Sequence, residues 1–296
     1  MFRPAAEGRD HTLLKKSFSF DLGKENRVIR GDIRLPKPQL PAPVLFICHG
    51  FKGFKDWGFF PVLAEKLAEA GFVTVTFNFS MNGIGEDLEN FTELEKFSLN
   101  TFSREQEDLA FLIQKVREGD FPYADAIDPG RIGLFGHSRG GGNSLIHALD
   151  HPDRIKAVAV WNSIHRADFF APEVMDDIKR KGIGYISNAR TGQLLPVRRE
   201  VIDDIRQNRE RFDIKKRLPD LHLPLLIVQG TEDLPGFMEG AKEMADLADK
   251  ATLRLIEGAN HTMGAVHPFE KMTPQLEEAI QTTSSFFLKH LSPEQV

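Results

Sequence analysis

The run Gly136-His137-Ser138-Arg139-Gly140-Gly141-Gly142 combines residue types and spacing that could do chemistry. It follows the apolar residues 132–135 and precedes a helical pattern through Leu145 and Ile146. A serine between a strand and a helix occupies a tight, strained turn, and glycines on either side let the two elements approach each other. Its hydroxyl then stands clear of the sheet, at the positive end of the following helix. Placed so, Ser138 reads as a nucleophile rather than an incidental residue of a glycine-rich turn. A serine hydroxyl is a poor nucleophile at neutral pH and needs a base to take its proton.

The chain has ten histidines. His11, His147, His151, His165, His222 and His290 show no ligand spacing, and neither a His-Glu-x-x-His motif nor a cysteine pair is present, so no metal site is expected. No phosphate-binding loop appears, and no cofactor is expected. Cys48 lies on a segment that reads as buried, which makes it a core thiol rather than a second nucleophile.

The elements that must position Ser138 are legible from hydrophobic texture. Residues 17–22 and 28–35 alternate apolar and polar around Gly23-Lys24-Glu25-Asn26, the pattern of a half-exposed antiparallel hairpin. Residues 44–48 are apolar throughout, as a strand covered on both faces must be, and residues 72–77, 132–135, 155–160, 225–228 and 253–256 read the same way. Amphipathic helical patterns lie between them at 60–70, 105–116, 237–247 and 276–288. Such alternation specifies an α/β fold with a mostly parallel central sheet and helices on both faces.

One stretch breaks the rhythm. About 60 residues separate Trp161 from the strand that begins at Leu225. Residues 176–217 hold twelve Lys or Arg against seven Asp or Glu, a surplus of five positive charges in a chain of net charge −5. A connection that long is seldom bare loop. With residues 198–216 reading as helical, the segment 165–218 is expected to be an inserted lid or cap within one domain spanning 1–296.

Composition narrows the class further. With 41% apolar residues and no apolar run near the ~20 residues of a membrane span, the chain reads as globular, with no membrane partner. The opening residues carry no apolar stretch of the kind a signal peptide needs, and a single cysteine suits a reducing compartment, so a cytoplasmic location is expected. Net charge −5 argues against nucleic acid as a partner. A homo-oligomer is compatible with these features.

Over residues 40–292 the chain resembles the α/β-hydrolase fold family. His49-Gly50-Phe51 is similar to the family's oxyanion-hole loop, Ser138 to its nucleophile elbow, Gly230-Thr231-Glu232-Asp233 to the loop carrying its acid, and Gly258-Ala259-Asn260-His261 to the loop carrying its histidine. The resemblance implies a catalytic triad Ser138–His261–Asp233, in the chain order this fold uses. It also implies an oxyanion hole made by the backbone N–H groups of Phe51 and Arg139, whose side chains need not be special. Glu232 is the competing acid, but the glycine-x-x-Asp spacing favours Asp233; His267 is the competing base. Pro235 departs from the family's usual acid loop. His49 is expected to be structural and His137 to pack against the sheet.

The insertion segment Tyr185-Ile186-Ser187-Asn188-Ala189-Arg190-Thr191-Gly192-Gln193, with the motifs above, is similar to cinnamoyl/feruloyl-esterase-like and dienelactone-hydrolase-related branches. That resemblance implies a serine carboxylesterase for a small ester, with short or hydroxycinnamoyl acyl groups. Phe54, Trp57, Tyr185 and Gln193 are then expected to contact substrate. A peptidase or acyltransferase of the same fold, or a non-catalytic ligand-binding relative, is the alternative. The cationic insertion would either attract an anionic ester or dock on the acidic remainder of the chain.

Overall fold

The computed structural model describes residues 13–37, 41–87 and 89–292. Residues 38–40, within the proline-rich stretch Pro36 to Pro43, lie outside the described residues. Eight strands form one sheet in the order β1-β2-β4-β3-β5-β6-β9-β10. β1 (Leu14–Asp21) and β2 (Val28–Leu35) make the expected antiparallel hairpin, and β2 also pairs antiparallel with β4 (Val73–Asn78). The other pairings, through β3 (Ala42–Cys48), β5 (Ile127–His137), β6 (Ala157–Trp161), β9 (Leu225–Gly230) and β10 (Ala251–Ile256), are parallel. This is the α/β fold expected from the alternation.

Side chains alternate across the sheet and build two cores. Val44, Phe46 and Cys48 face the side covered by α3 (Phe102–Arg117), α4 (Arg139–Asp150) and α8 (Phe237–Leu247). Leu45 and Ile47 face α1 (Phe60–Glu69) and α9 (Pro274–Leu291). Both helix layers start cleanly for local reasons. Thr101 and Thr273 accept hydrogen bonds from the N–H groups of Arg104 and Leu276, and Pro274 opens α9 where its missing N–H costs nothing.

Two strand readings need correction. β2 is not half-exposed: lying between β1 and β4, it buries Ile29, Gly31, Asp32, Ile33, Arg34 and Leu35. β10 is not covered on both faces: it is the sheet's edge, only Ile256 is buried, and Leu255 is 40% exposed.

The insertion is richer than a helical lid. After a short α2 (Leu94–Ser98) earlier in the chain, the segment between β6 and β9 folds as α5 (Pro172–Lys181), a separate antiparallel pair β7 (Ile183–Ser187) and β8 (Leu194–Arg198), α6 (Arg199–Gln207) and α7 (Ile214–Arg217). The helical stretch expected at 198–216 is thus interrupted between α6 and α7. Ile178, Leu195, Val197, Val201 and Ile202 form a third core with Phe54, Ile84, Phe91 and Phe97 of the body. Burial of such side chains, at ~1.5–3 kcal/mol each, fixes the insertion over the loop that follows β3.

Candidate active site

Four chain segments meet at the carboxyl ends of β3, β5, β6 and β9, where open α/β sheets place their ligands. Ser138 lies between β5 and α4 with φ 55° and ψ −119°, a conformation that costs a non-glycine residue ~1–3 kcal/mol. The turn is over-determined. Ser138 N–H donates to Trp161 O at 3.0 Å, and Ser138 O accepts from the N–H groups of Gly141 and Ile164 at 3.0 and 3.2 Å. A Cβ on Gly136 would lie 2.2 Å from Gly140 O, and one on Gly140 would lie 2.2 Å from Cys48 O. The glycines are therefore where strand, helix and the β3 loop come closest.

The structure brings Asp233 and His261 together. His261 Nδ1 and Asp233 Oδ1 are 2.7 Å apart, and the Asp233 carboxylate is 1% exposed. The carboxylate also accepts from Gln229 Nε2 at 2.8 Å and from the Leu234 N–H at 2.6 Å. Burial opposes its charge, but the hydrogen bonds from His261, Gln229 and Leu234 outweigh burial and hold Asp233 below the usual carboxylate range. With Nδ1 committed to Asp233, His261 Nε2 is the open nitrogen. Among the described residues no hydrogen bond joins it to Ser138, a contact that often closes only when substrate is bound.

The competitors are placed elsewhere. Glu232 is exposed, its N–H bound to Ala259 O at 2.9 Å. His267 accepts from the Gly58 N–H at 3.0 Å and packs between Phe54 and Trp57.

Gly50 lies against Ser138: a Cβ there would meet Ser138 Cβ at 3.1 Å. Among the described residues neither the Phe51 nor the Arg139 N–H has a protein acceptor, so two donors are open beside Ser138. The side chain of Arg139 has a structural part of its own beside its backbone N–H. It is 1% exposed, paired through Nε with Glu105 Oε2 at 2.7 Å, and its guanidinium lies 3.9 Å from the Phe102 ring centre and 5.6 Å from that of Phe51. Glu105 also accepts from Asn143 and Asn100, which joins α3 to α4 directly behind the turn.

Two polar residues, Asn162 and Gln229, escape sequence reading. Asn162, fully buried at φ 43°, donates to the carbonyls of Asn260 and His261 at 3.1 and 2.8 Å and accepts from the Gly230 N–H at 2.8 Å. One side chain thus ties the acid strand to the histidine loop, and Gln229 adds the contact to Asp233. His137 Nε2 donates to His261 O at 2.7 Å, and their rings lie 4.8 Å apart. The only available signal is that Asn162 and Gln229 are amide side chains at strand ends.

The residues expected to touch substrate are dispersed. Phe54 is fully buried and anchors the loop rather than walling a cleft, and Trp57 packs on His267 and Phe59. Tyr185 is 52% exposed on β7, and Gln193 donates to Phe91 O at 2.9 Å.

The buried histidines are neutral, and this has a measurable consequence. His49 Nε2 accepts from the Phe79 N–H, so Nδ1 carries the proton and donates to Gly50 O. Burial pushes His49 down to about 4, and His137 and His147 down to about 3. The unfolded chain takes up these three protons near pH 6.5 and the folded chain does not, so stability falls as pH drops from about 6.5 towards 4. Asp108, which burial pushes up to about 6 against the pull of Arg27 and Ser80, acts in the opposite direction. Each of the three buried histidines corresponds to about 1.4 kcal/mol per pH unit, and His151, His165, His267 and His290, also lowered by burial, act in the same direction. Urea unfolding at pH 6 and pH 5 should show that loss; equal stabilities would mean the buried histidines are not neutral.

Residues 43–185 match the family model of the alpha/beta hydrolase fold. A protein in the traX-finO intergenic region of Escherichia coli is 29% identical over 147 residues; the match covers 50% of this chain and 46% of that protein, so the chain spans about half the length of the curated relatives it matches. Among solved structures, dienelactone hydrolase from Anabaena variabilis superposes with a TM-score of 0.62 at 17% identity, covering 95% of this chain and 100% of that one. Est1E from Butyrivibrio proteoclasticus with ferulic acid bound gives 0.67 at 18% identity, covering 91% and 98%. The chain has the α/β-hydrolase fold. It resembles dienelactone hydrolase and Est1E in architecture, with the insertion between β6 and β9.

Proposed function

We propose that the protein is a serine carboxylesterase. The observation that carries this reading is the buried Asp233–His261 hydrogen bond at the same end of the sheet as the strained Ser138. Ser138 Oγ attacks the ester carbonyl while His261 Nε2 takes its proton, and Asp233 fixes the Nδ1–H tautomer and stabilises the imidazolium. The Phe51 and Arg139 N–H groups bind the oxyanion, a contribution of ~10²–10³ per donor where such donors have been removed. Collapse expels the alcohol, protonated by His261, and water then repeats the sequence on the acyl-enzyme. The chain's own side chains supply nucleophile, base and acid. Among the described residues no group of three or more His, Cys, Asp or Glu could hold a metal ion, and no helix is long and apolar enough to cross a membrane.

The insertion acts as a cap, its third core covering the loop that carries Phe51. The test is an aryl-ester panel of acetyl, long-chain and hydroxycinnamoyl esters beside matched anilides. Turnover of esters in preference to anilides is expected, with the compact or hydroxycinnamoyl acyl groups favoured. A folded protein that turns over none of them overturns the reading, and preference for anilides would make it an amidase.

A further inference from the structure

The insertion's cations are engaged in different ways. Arg198 pairs with Glu95 at 2.9 Å, Arg211 and Arg217 with Asp150 at 2.8 Å, and Lys215 with Glu243 at 2.8 Å, so these dock the insertion on the acidic body. Lys179, Arg180 and Lys181 pair with Asp176 or Asp177 of their own helix. Arg190 and Arg199 bond to the carbonyls of Glu89 and Lys179, and Arg166, Arg206 and Arg209 make none of these contacts. Arg209 has no carboxylate partner among the described residues, while Arg166 and Arg206 stand 3.8 and 3.9 Å from Asp168 and Asp203. All three line one cleft of about 560 Å³. Its remaining wall is largely apolar, with Phe170, Met175, Ile202 and Phe212.

Residues that wall this cleft or its neighbour pack against Phe51 and His261. His165, Arg166 and Lys215 also wall a second cleft, of about 360 Å³, which reaches Phe237. The Phe237 ring lies 4.9 Å from that of His261. On the other side, Phe170 lies 5.8 Å from Phe51.

The geometry points to the larger cleft as a binding subsite for an amphipathic carboxylate, the far end of an ester substrate. Its volume suits a small organic group. The apolar wall takes the hydrocarbon body, and the forked guanidinium of Arg209, aided by Arg206, takes the carboxylate. Four cations line the cleft against two carboxylates, Asp168 and Asp213, and Asp213 already caps α7 by accepting from the Lys216 N–H at 3.1 Å. Lys215 is met by Glu243, Arg166 by Asp168 and Arg206 by Asp203, so the cation left for an anionic occupant is Arg209. The assignment to substrate rests on the esterase reading; the binding itself does not.

Calorimetric titration at low ionic strength with phenylbutyrate and its uncharged amide tests the subsite directly, since exposed charges are screened by salt. The acid should bind at least about tenfold more tightly than the amide, on the scale of a charge-assisted pair. Arg209→Gln and Arg206→Gln should each reduce acid binding by about fivefold or more and leave amide binding unchanged. Lys216→Ala, which removes an exposed cation outside the cleft, should change neither. Equal affinity for acid and amide, or wild-type acid binding by Arg209→Gln, would overturn the subsite. Hydrolysis of an aryl glutarate half-ester beside the neutral aryl pentanoate separates the two claims. Loss of all ester turnover with acid binding retained refutes the esterase and leaves the subsite. Ester turnover without preference for the acid refutes the subsite alone.

Discussion

Ser138→Ala should lower ester kcat by about 10⁴- to 10⁶-fold, the scale on which serine-triad nucleophiles are lost. The substitution removes one oxygen from a turn whose shape is set by backbone bonds to Trp161, Gly141 and Ile164, none of which uses the side chain. The fold should therefore survive, with the thermal unfolding midpoint within a few degrees of wild type, because a partly exposed hydroxyl is being removed. What remains is binding energy and the two N–H donors, enough for a residual rate above water but not for an acyl-enzyme. A reduction smaller than about tenfold would mean that another group performs the attack.

The second large effect separates two adjacent carboxylates. Asp233→Asn should cost about 10⁴-fold in kcat, because an amide in that place favours the wrong imidazole tautomer and cannot stabilise the imidazolium. Glu232→Gln should leave kcat within about twofold, as expected of an exposed side chain that makes no hydrogen bond or ion pair among the described residues. Steady-state kinetics on one aryl ester decides between them. Equal losses, or the reverse order, would show that the loop rearranges so that Glu232 reaches His261.

The parts of this architecture that were legible in the sequence share a property: each is a local pattern with a local cause. The Ser138 turn follows from glycines and a serine within seven residues, and the central strands follow from unbroken apolar runs such as residues 44–48. The acid and histidine loops were reached only through resemblance, since no local rule connects Asp233 to His261 across 28 positions. Asn162 and Gln229 were invisible because their work is done where three loops converge, and a single amide at a strand end carries no such information. The buried ion pair of Arg139 was invisible for the same reason: its partner Glu105 lies on another helix, 34 positions away.

The insertion failed differently. β7 and β8 are five residues each, half-exposed, and carry Gly184 and Pro196, so neither shows the alternation or apolar run of a sheet strand. Their stability comes from tertiary burial against Phe54, Phe91 and Phe97, which no window of the insertion contains. β10 was misread because Leu253, Leu255 and Ile256 look like core, although the sheet ends there and leaves one face to water.

The most direct measurement is reaction of the folded protein with a small fluorophosphonate, followed by mapping of the modified peptide. Only a base-activated serine reacts quickly with such a reagent, whatever ester the enzyme prefers. The label should appear on Ser138 at a stoichiometry near one, and labelling should slow by orders of magnitude in His261→Ala while His267→Ala reacts as wild type. Label on a different serine, or labelling of Ser138 that is indifferent to His261, would contradict the assignment of this site as a serine hydrolase.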